Sequence, residues 1–155
     1  MINTDTKEYI GQAKFGLSTD TLDITGNVLK KVDNYKIDKE TLLNALLSFK
    51  GSYMQEVPLF SSVKVNGERL YKYAREGKSV TLPKREVNIY DIKLLDFNCE
   101  YFSFKCVVSK GTYIRSLIQD ICASLNVLGT MNNLERTKQG IFKISNSYYL
   151  YFFIC

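Results

Sequence analysis

The sequence predicts a single α+β domain in which strands and helices follow each other in irregular order. Its 155 residues contain no long polar, Pro-rich or Gly/Ser-rich linker, so they are expected to form one compact unit around a real core. Residues 101–109, "YFSFKCVVS", alternate between apolar and polar side chains, which predicts a strand with one wet side. Apolar residues then recur at helical spacing from Ile114 to Leu125, so the strand gives way to a helix across residues 110–112.

The elements before this corner are predicted from similar local signals. Residues 7–15 alternate loosely, which favours a half-buried strand, and residues 16–28 have the composition of a loop. Asp38 is placed to cap a helix over residues 39–50, and Gly51 supplies a left-handed stop just beyond it.

Two further stretches fill the middle of the chain. Residues 61–79 indicate a short extended piece, an Asn-Gly turn at 66–67 and a helix that ends at Gly77. Residues 86–97 are rich in β-forming residues, and their alternation slips once, between Ile89 and Tyr90, as it would at a β-bulge. The chain contains no internal repeat.

Composition narrows the class of protein more than it identifies a function. The apolar content of 45% and charged content of 24% are ordinary for a globular domain, and the net charge of +5 favours an anionic partner such as nucleic acid. The four cysteines form no Cys-x-x-Cys pair and histidine is absent, which argues against a zinc module. The polar start "MINTDTKEYI" is unlike a signal peptide, which favours reduced thiols and a cytoplasmic location. The apolar run 148–155 is too short to span a bilayer.

The corner between the predicted strand and helix places two cations, Lys110 and Arg115, near a helix N-terminus. A cation there is mildly unfavourable, by about 0.3–1 kcal/mol, because the helix dipole is positive at that end. The backbone N–H groups of Gly111 and Thr112 offer a site for a phosphate or a carboxylate. The alternative is a solvated arginine at the edge of the helix, with Tyr113 packed on the sheet.

Other polar residues can likewise be interpreted either as functional or as ordinary surface and turn residues. Asp20 and Asp23 lie in a Thr/Gly-rich loop, where an aspartate usually caps a turn. A basic stretch interleaved with Tyr71 and Tyr73 is suited to phosphates and stacked bases, although each of its members alone is better explained as a solvated side chain. Its members are Lys64, Arg69, Lys72, Arg75, Lys78, Lys84 and Arg85.

Four separated segments together resemble one known family. They are "KEYIGQAKFGLSTDTLDITG", "FSSVKVNGERLYKYAREG", "SKGTYIRSLIQDI" and "LERTKQGIF", in the order and approximate spacing of the bacterial tRNA pseudouridine-55 synthases, the TruB family. The resemblance extends from about Asp5 to Ser145. Phe60 and Ser62 stand where the family usually has Tyr and Ala, and Glu135 replaces a frequent Arg.

This resemblance implies a fold and a chemistry. The fold would be a mixed, mainly antiparallel sheet flanked by helices, incomplete at the N-terminus. Such enzymes flip a uridine out of the T-loop of tRNA, detach the base from its ribose and rejoin it through carbon, with no metal or organic cofactor. Flipping costs a few kcal/mol of stacking, which an aromatic wall and a basic surface can offset.

The resemblance also assigns roles to individual residues. Tyr9 would stack on the target base, with its hydroxyl placed to help remove the C5 proton, and Tyr113 and Leu134 would line the pocket. Arg115 would pair with the catalytic aspartate and hold it ionised, which a bidentate guanidinium does well. Substrate contact or support of the site would fall to Lys64 and Lys110.

The family's aspartate belongs to a Gly-x-Leu-Asp-Pro-like segment, about thirty residues before the "KEYIGQAKFG" strand, and no such segment occurs in this sequence. We therefore expect residues 1–147 to be a partial catalytic domain, monomeric and inactive alone, with 148–155 as an atypical apolar tail. An Arg115→Ala change is accordingly expected to alter folding little. The alternatives are a non-catalytic RNA-binding module, which retains the tRNA-facing surface, and a vestigial product that folds poorly.

Overall fold

A five-stranded antiparallel sheet organises the computed structural model, which describes residues 6–137. Its strand order is β4-β7-β8-β1-β9, and the pairs β2-β3 and β5-β6 form two small antiparallel ribbons. The predicted α+β class and the mainly antiparallel sheet are confirmed. The elements are β1 Thr6–Phe15, β2 Leu17–Thr19, β3 Val28–Lys31, α1 Lys39–Ser48, β4 Gly51–Glu56, β5 Lys64–Val65, β6 Glu68–Arg69, α2 Leu70–Glu76, β7 Lys84–Phe97, β8 Tyr101–Ser109, α3 Ile114–Ser124 and β9 Gly129–Thr137.

Strand β8 lies at the centre of the sheet and supplies the middle of the core. Its alternation predicts one buried face, and all four residues on that face are fully buried: Phe102, Phe104, Cys106 and Val108. The opposite face was expected to be wet, but Ser103 on that face is only 1% exposed. The expectation was wrong at this position because the short Ser103 side chain lies between the longer side chains of its cross-strand partners, Gln12 of β1 and Asp96 of β7.

Helices α1 and α3 contribute to the core cluster that includes Phe102 and Phe104. The period change after β8 is confirmed, because α3 begins at Ile114 and buries Ile114, Leu117, Ile118 and Ile121 along one stripe. Complete burial of such side chains contributes about 1.5–3 kcal/mol each, so this stripe fixes α3 on the sheet.

The predicted cap of α1 is confirmed and its predicted end is wrong. The Asp38 carboxylate accepts a hydrogen bond from the Thr41 backbone N–H at 2.8 Å, which satisfies one of the free donors of the first turn. Helix α1 ends at Ser48, with Phe49 as its C-cap. Gly51 is instead the first residue of β4, with φ 113°, because the chain must reverse at once to join the sheet.

The hairpin and helix after β4 follow the prediction closely. Asn66 and Gly67 both have positive φ values, 54° and 79°, and join β5 to β6. Helix α2 follows directly and is closed by Gly77 in the left-handed conformation. The predicted slip in β7 is also present, because its pairing with β8 shifts between Ile89 and Asp91.

Strands β2, β3, β4 and β9 were not predicted. Residues 16–28, expected to be a loop, contain β2 and the first residue of β3. Strands β4 and β9 form the two edges of the main sheet. The cysteines Cys99, Cys106 and Cys122 are unpaired thiols, whereas Cys155 and the apolar tail 148–155 lie outside the described residues.

Candidate active site

The candidate site is centred on Gly11, near the middle of β1. Gly11 pairs with Phe104 of β8 on one side and with Leu134 of β9 on the other. A Cβ atom at Gly11 would lie 3.0 Å from Phe104 Cζ and 3.4 Å from Ile114 Cγ2, so the first residue of α3 rests over this position. The absence of a side chain at Gly11 allows the start of α3 to approach the sheet closely.

Tyr9 and Leu134 flank Gly11 on the same face of the sheet. Residues two apart on a strand share a face, and Leu134 is paired with Gly11 while Tyr9 is paired with Arg136. Tyr9 and Leu134 are therefore diagonal neighbours across the β1-β9 pair, within reach of an aromatic side chain. Tyr9 is half-buried against the core, and Leu134 is 37% exposed. An aromatic ring and an apolar side chain thus lie together at the solvent boundary.

Tyr113 enters the same region from the helix. It is the N-cap of α3, directly before Ile114, and is half-buried. Its backbone is held from β4, because Tyr113 N–H donates to Gln55 Oε1 at 2.9 Å and Gln55 Nε2 donates to Tyr113 O at 3.1 Å. Sequence analysis missed Gln55. The available signal was a polar residue between Tyr53 and Val57, at a position where the strand alternation points inward.

Arg115 is half-buried and joins three parts of the chain. Its Nη1 donates to the backbone carbonyl of Thr21 at 2.7 Å, and its Nη2 donates to the carbonyl of Phe60 at 3.1 Å. These contacts offset the unfavourable place of a cation in the first turn of a helix. Arg115 thus has partners other than the missing aspartate, which removes the reason for expecting Arg115→Ala to alter folding little.

Backbone donors at the corner are less available to an anion than the sequence suggested. The Thr112 N–H donates to Ser109 O at 3.2 Å, and the Tyr113 N–H is taken by Gln55. Gly111 has a φ of 85°, which the turn into α3 requires. The expected anion site at Gly111 and Thr112 therefore loses one of its two donors to the turn itself.

The loop between β2 and β3 is stabilised by its aspartates, as the turn-capping interpretation predicts. Asp20 accepts hydrogen bonds from the Asn27 backbone and side chain, and Asp23 accepts from Thr25 and Thr21. Burial alone would raise the pKa of the Asp23 carboxyl, but the hydrogen bonds from Thr25 and Thr21 and the charge of Arg115 together lower that pKa. Asp23 is therefore ionised and faces the positive field of Arg115.

The same loop is tied to the sheet edge beside the site. The Ile24 N–H donates to Met131 O at 2.8 Å, and the Met131 N–H donates to Leu22 O at 3.1 Å. Since Met131 lies on β9, three residues before Leu134, these bonds hold the loop next to the strand that carries Leu134. Arg115, through Thr21, fastens the loop to α3 as well.

The two lysines proposed for substrate contact are more peripheral. Lys64 is exposed in the β5-β6 hairpin, where it pairs with Arg69, and Lys110 is exposed in the turn before α3. Among residues 6–137, no hydrogen bond or ion pair links either lysine to Arg115. The structure therefore places Tyr9 and Leu134 beside Gly11, and Tyr113 and Arg115 on either side of Ile114, which lies over Gly11. It leaves Lys64 and Lys110 outside these contacts.

A small cavity of about 180 Å³ opens beside this region, between the β2-β3 loop, the segment after β4 and α3. Ser116, next to Arg115, lines it with a hydroxyl that is buried and has no hydrogen-bond partner among the described residues. In residues 6–137 no cluster of His, Cys, Asp or Glu is arranged to hold a metal. No helix in that part of the chain has the length and apolar character needed to cross a membrane.

Comparison with known proteins gives a consistent result. Residues 1–114 match the family described as TruB family pseudouridylate synthase (N terminal domain). A tRNA pseudouridine synthase B of Clostridium tetani is 49% identical over 94% of this chain and 50% of its own length. The tRNA pseudouridine synthase B of Borreliella afzelii is 46% identical over 91% of this chain and 50% of its own. The chain thus spans about half the length of these relatives.

The fold has solved counterparts. A chain in the crystal structure of a Cbf5-Nop10-Gar1 complex superimposes with a TM-score of 0.61 and 25% sequence identity, covering 92% of this chain and 32% of that one. A chain in an H/ACA RNP structure with a bound substrate RNA containing 2'-deoxyuridine gives a TM-score of 0.57 at 21% identity, which supports the fold alone.

Proposed function

The chain belongs to the TruB family of pseudouridylate synthases, and from this premise we propose that it forms the uridine-binding part of an enzyme that isomerises uridine in the T-loop of tRNA. The observation that carries the proposal is the arrangement around Gly11. Tyr9 and Leu134 are its neighbours on the β1-β9 pair, and Tyr113 and Arg115 directly flank Ile114, the residue that lies over Gly11.

Each of these residues has a role suited to its surroundings. Tyr9 offers an aromatic face on which a flipped uracil can stack, and such stacking contributes about 1–3 kcal/mol per base. Leu134 and Tyr113 flank the base and exclude water from it. Two of the five N–H donors of Arg115 bind the carbonyls of Thr21 and Phe60, which leaves three for an anion.

The anion proposed for Arg115 is the catalytic aspartate. A carboxylate beside a guanidinium that is already fixed by two carbonyl contacts stays ionised and oriented, so little reorganisation is needed during the reaction. Asp20 and Asp23 are not offered for this role, because both carboxylates are engaged in closing their own loop. Residues 1–155 contain no Gly-x-Leu-Asp-Pro segment, so this chain by itself is proposed to be inactive.

The test of inactivity uses tRNA labelled with tritium at C5 of uridine. Pseudouridine formation releases that label, because the new carbon–carbon bond forms at C5. The purified chain is expected to release no label above the background of tRNA alone. Release that is proportional to protein concentration would overturn the proposed inactivity and would support the enzyme activity directly.

The chain is proposed to bind tRNA even though it does not catalyse the reaction, because the basic stretch is on the surface. All seven of its members are exposed, and Arg75 lies over the ring of Tyr71 at 5.4 Å. Binding of a T-loop hairpin should therefore weaken steeply with salt, since each phosphate contact releases counterions. The absence of binding at low salt would contradict the proposal. We further propose that the chain acts as a monomer, which light scattering checks.

A further inference from the structure

We infer that Gln55 is a positioning residue whose side-chain amide holds Tyr113 at the edge of the proposed uridine pocket. This inference rests on the proposed function, because Tyr113 matters only if a base binds beside it. Gln55 lies on the edge strand β4 and does not belong to the four residues around Gly11. Its side chain is 2% exposed, so it acts from within the protein and is not a substrate contact.

The side-chain amide of Gln55 binds both backbone polar groups of Tyr113. Its Oε1 accepts from Tyr113 N–H at 2.9 Å, and its Nε2 donates to Tyr113 O at 3.1 Å. The same carbonyl accepts the first hydrogen bond of α3, from Leu117 N–H at 3.0 Å. Tyr113 makes no capping bond with its own side chain, and Gln55 Oε1 accepts from the N-cap N–H, as the Glu or Gln side chain does in a capping box.

The orientation of the amide is itself fixed. Gln55 Nε2 also donates to Tyr53 Oη at 2.8 Å, and Tyr53 Oη donates to Asp120 Oδ2 at 3.0 Å. The Tyr113 N–H can only donate and the Tyr113 carbonyl can only accept, so Gln55 must offer Oε1 to the first and Nε2 to the second. The NH₂ group of Gln55 therefore faces Tyr53, and its oxygen is left to face the Tyr113 N–H.

The consequence for the pocket is local. Tyr113 has extended backbone angles, φ −97° and ψ 115°, which direct its side chain, and it directly precedes the residue that rests over Gly11. Helix α3 is anchored separately by Leu117, Ile118 and Ile121, all completely buried. Loss of the Gln55 amide should therefore release Tyr113 while the helix stays on the sheet.

The first test needs no RNA. In Gln55→Met, amide hydrogen exchange at Tyr113 should accelerate about tenfold relative to the amide of Phe104, the loss expected for one net hydrogen bond. Gln12→Met is the matched control, because Gln12 Oε1 accepts from Asn132 Nδ2 at 2.7 Å on the other face of the sheet. It should leave the ratio of Tyr113 to Phe104 exchange unchanged. An unchanged ratio in Gln55→Met would overturn the inference.

The second test measures whether the substitution at Gln55 alters the environment of the bound uracil. A T-loop hairpin carrying 5-fluorouridine at the target position gives a fluorine resonance that should shift when the chain binds. In Gln55→Met the bound resonance should move towards its free value, while the Kd changes less than about threefold because phosphate contacts remain. A bound resonance identical to that of the unaltered chain would contradict the inference. If the unaltered chain gives no bound resonance, the proposed function fails, and amide exchange alone decides the role of Gln55.

Two milder variants test the same contact in steps, and they can still be measured if Gln55→Met folds poorly. Gln55→Glu keeps an acceptor for Tyr113 N–H but has no donor for Tyr113 O, so it should protect that amide better than methionine does. Tyr53→Phe keeps the ring packed against Phe49 at 5.2 Å but removes the hydroxyl that orients the amide. It should accelerate Tyr113 exchange by about two- to fivefold. No acceleration in Tyr53→Phe, together with equal acceleration in both Gln55 variants, would refute the orienting role.

Discussion

The guanidinium of Arg115 donates to the backbone carbonyl of Thr21, 94 residues earlier in the chain, at 2.7 Å. A second bond to the carbonyl of Phe60 makes Arg115 the meeting point of α3, the β2-β3 loop and the segment after β4. Arg115 thus has a structural role in addition to the one proposed for it towards an aspartate.

Arg115→Ala is expected to lower the free energy of unfolding by about 1.5–3 kcal/mol, because two hydrogen bonds from a charged donor are lost and two carbonyls are left without it. Arg115→Lys should have a free energy of unfolding between those of the unaltered chain and Arg115→Ala, since an ammonium cannot replace the fork geometry of a guanidinium. Urea denaturation followed by circular dichroism measures both.

The matched control for Arg115 is Arg69→Ala. Arg69 also donates to a backbone carbonyl, that of Ser62 at 2.8 Å, but it is exposed. Its loss should cost less than about 1 kcal/mol, because water can replace the contact. Equal costs at the two positions would mean that Arg115 does not fasten the three segments.

Asp120 should make stability depend on pH. Burial raises the pKa of its carboxyl above the ordinary value of 3.8, outweighing the Tyr53 hydrogen bond that lowers it; the charge of Glu56 adds to the rise and Lys84 opposes it. The folded state therefore holds this proton more tightly than the unfolded state. Its contribution to stability is fully present below pH 3.8 and is lost as the pH rises through the raised pKa.

Asp120→Asn removes this titration and keeps an oxygen that can accept from Tyr53. The stability of the unaltered chain relative to Asp120→Asn should fall as the pH is raised from 3.8 towards neutrality, as measured by urea denaturation at each pH. A relative gain of stability over that range would show that the pKa of Asp120 is lowered in the fold.

Gly11→Ala tests the close contact between β1 and the start of α3. The added Cβ would lie 3.0 Å from Phe104 Cζ, so the ring or the helix must move, at a cost of about 1–3 kcal/mol. In a Phe104→Leu background, which removes that ring, the cost should be smaller by at least about 0.5 kcal/mol. If the costs of Gly11→Ala and Phe104→Leu are strictly additive in a thermal or urea double-mutant cycle, the added Cβ is not strained against the Phe104 ring.

The sequence predicted the elements whose signals are local. The alternation of β8, the cap at Asp38, the Asn66-Gly67 turn and the stripe of α3 each depend on a few neighbouring residues. Strands β4 and β9 were missed because edge strands have few buried residues of their own. In β4 only Gln55 is buried, and a buried polar residue interrupts the apolar pattern that identifies a strand.

The candidate site could be predicted only in part for a related reason. Resemblance to a family identified Tyr9, Tyr113, Leu134 and Arg115. The structure places the first and third beside Gly11 and the other two on either side of Ile114 above it, while their roles stay predictions. The partners of Arg115 are backbone carbonyls, which every residue carries, so the sequence gives no sign that Thr21 and Phe60 are the ones used. Gln55 and Asp120 are far apart in the chain and are linked through the hydroxyl of Tyr53, an arrangement that only the fold creates.

The most direct test of the pocket is the affinity of a T-loop hairpin for the unaltered chain, Tyr9→Ala and Tyr90→Ala at one low salt concentration. Tyr90 is the control because it is 50% exposed on β7, away from the β1-β9 pair. Tyr9→Ala should weaken binding by about 5- to 100-fold, the loss of one stacked base, and Tyr90→Ala by less than about twofold. Equal affinities for all three proteins, or no binding by the unaltered chain, would contradict the account that Tyr9 receives a uridine.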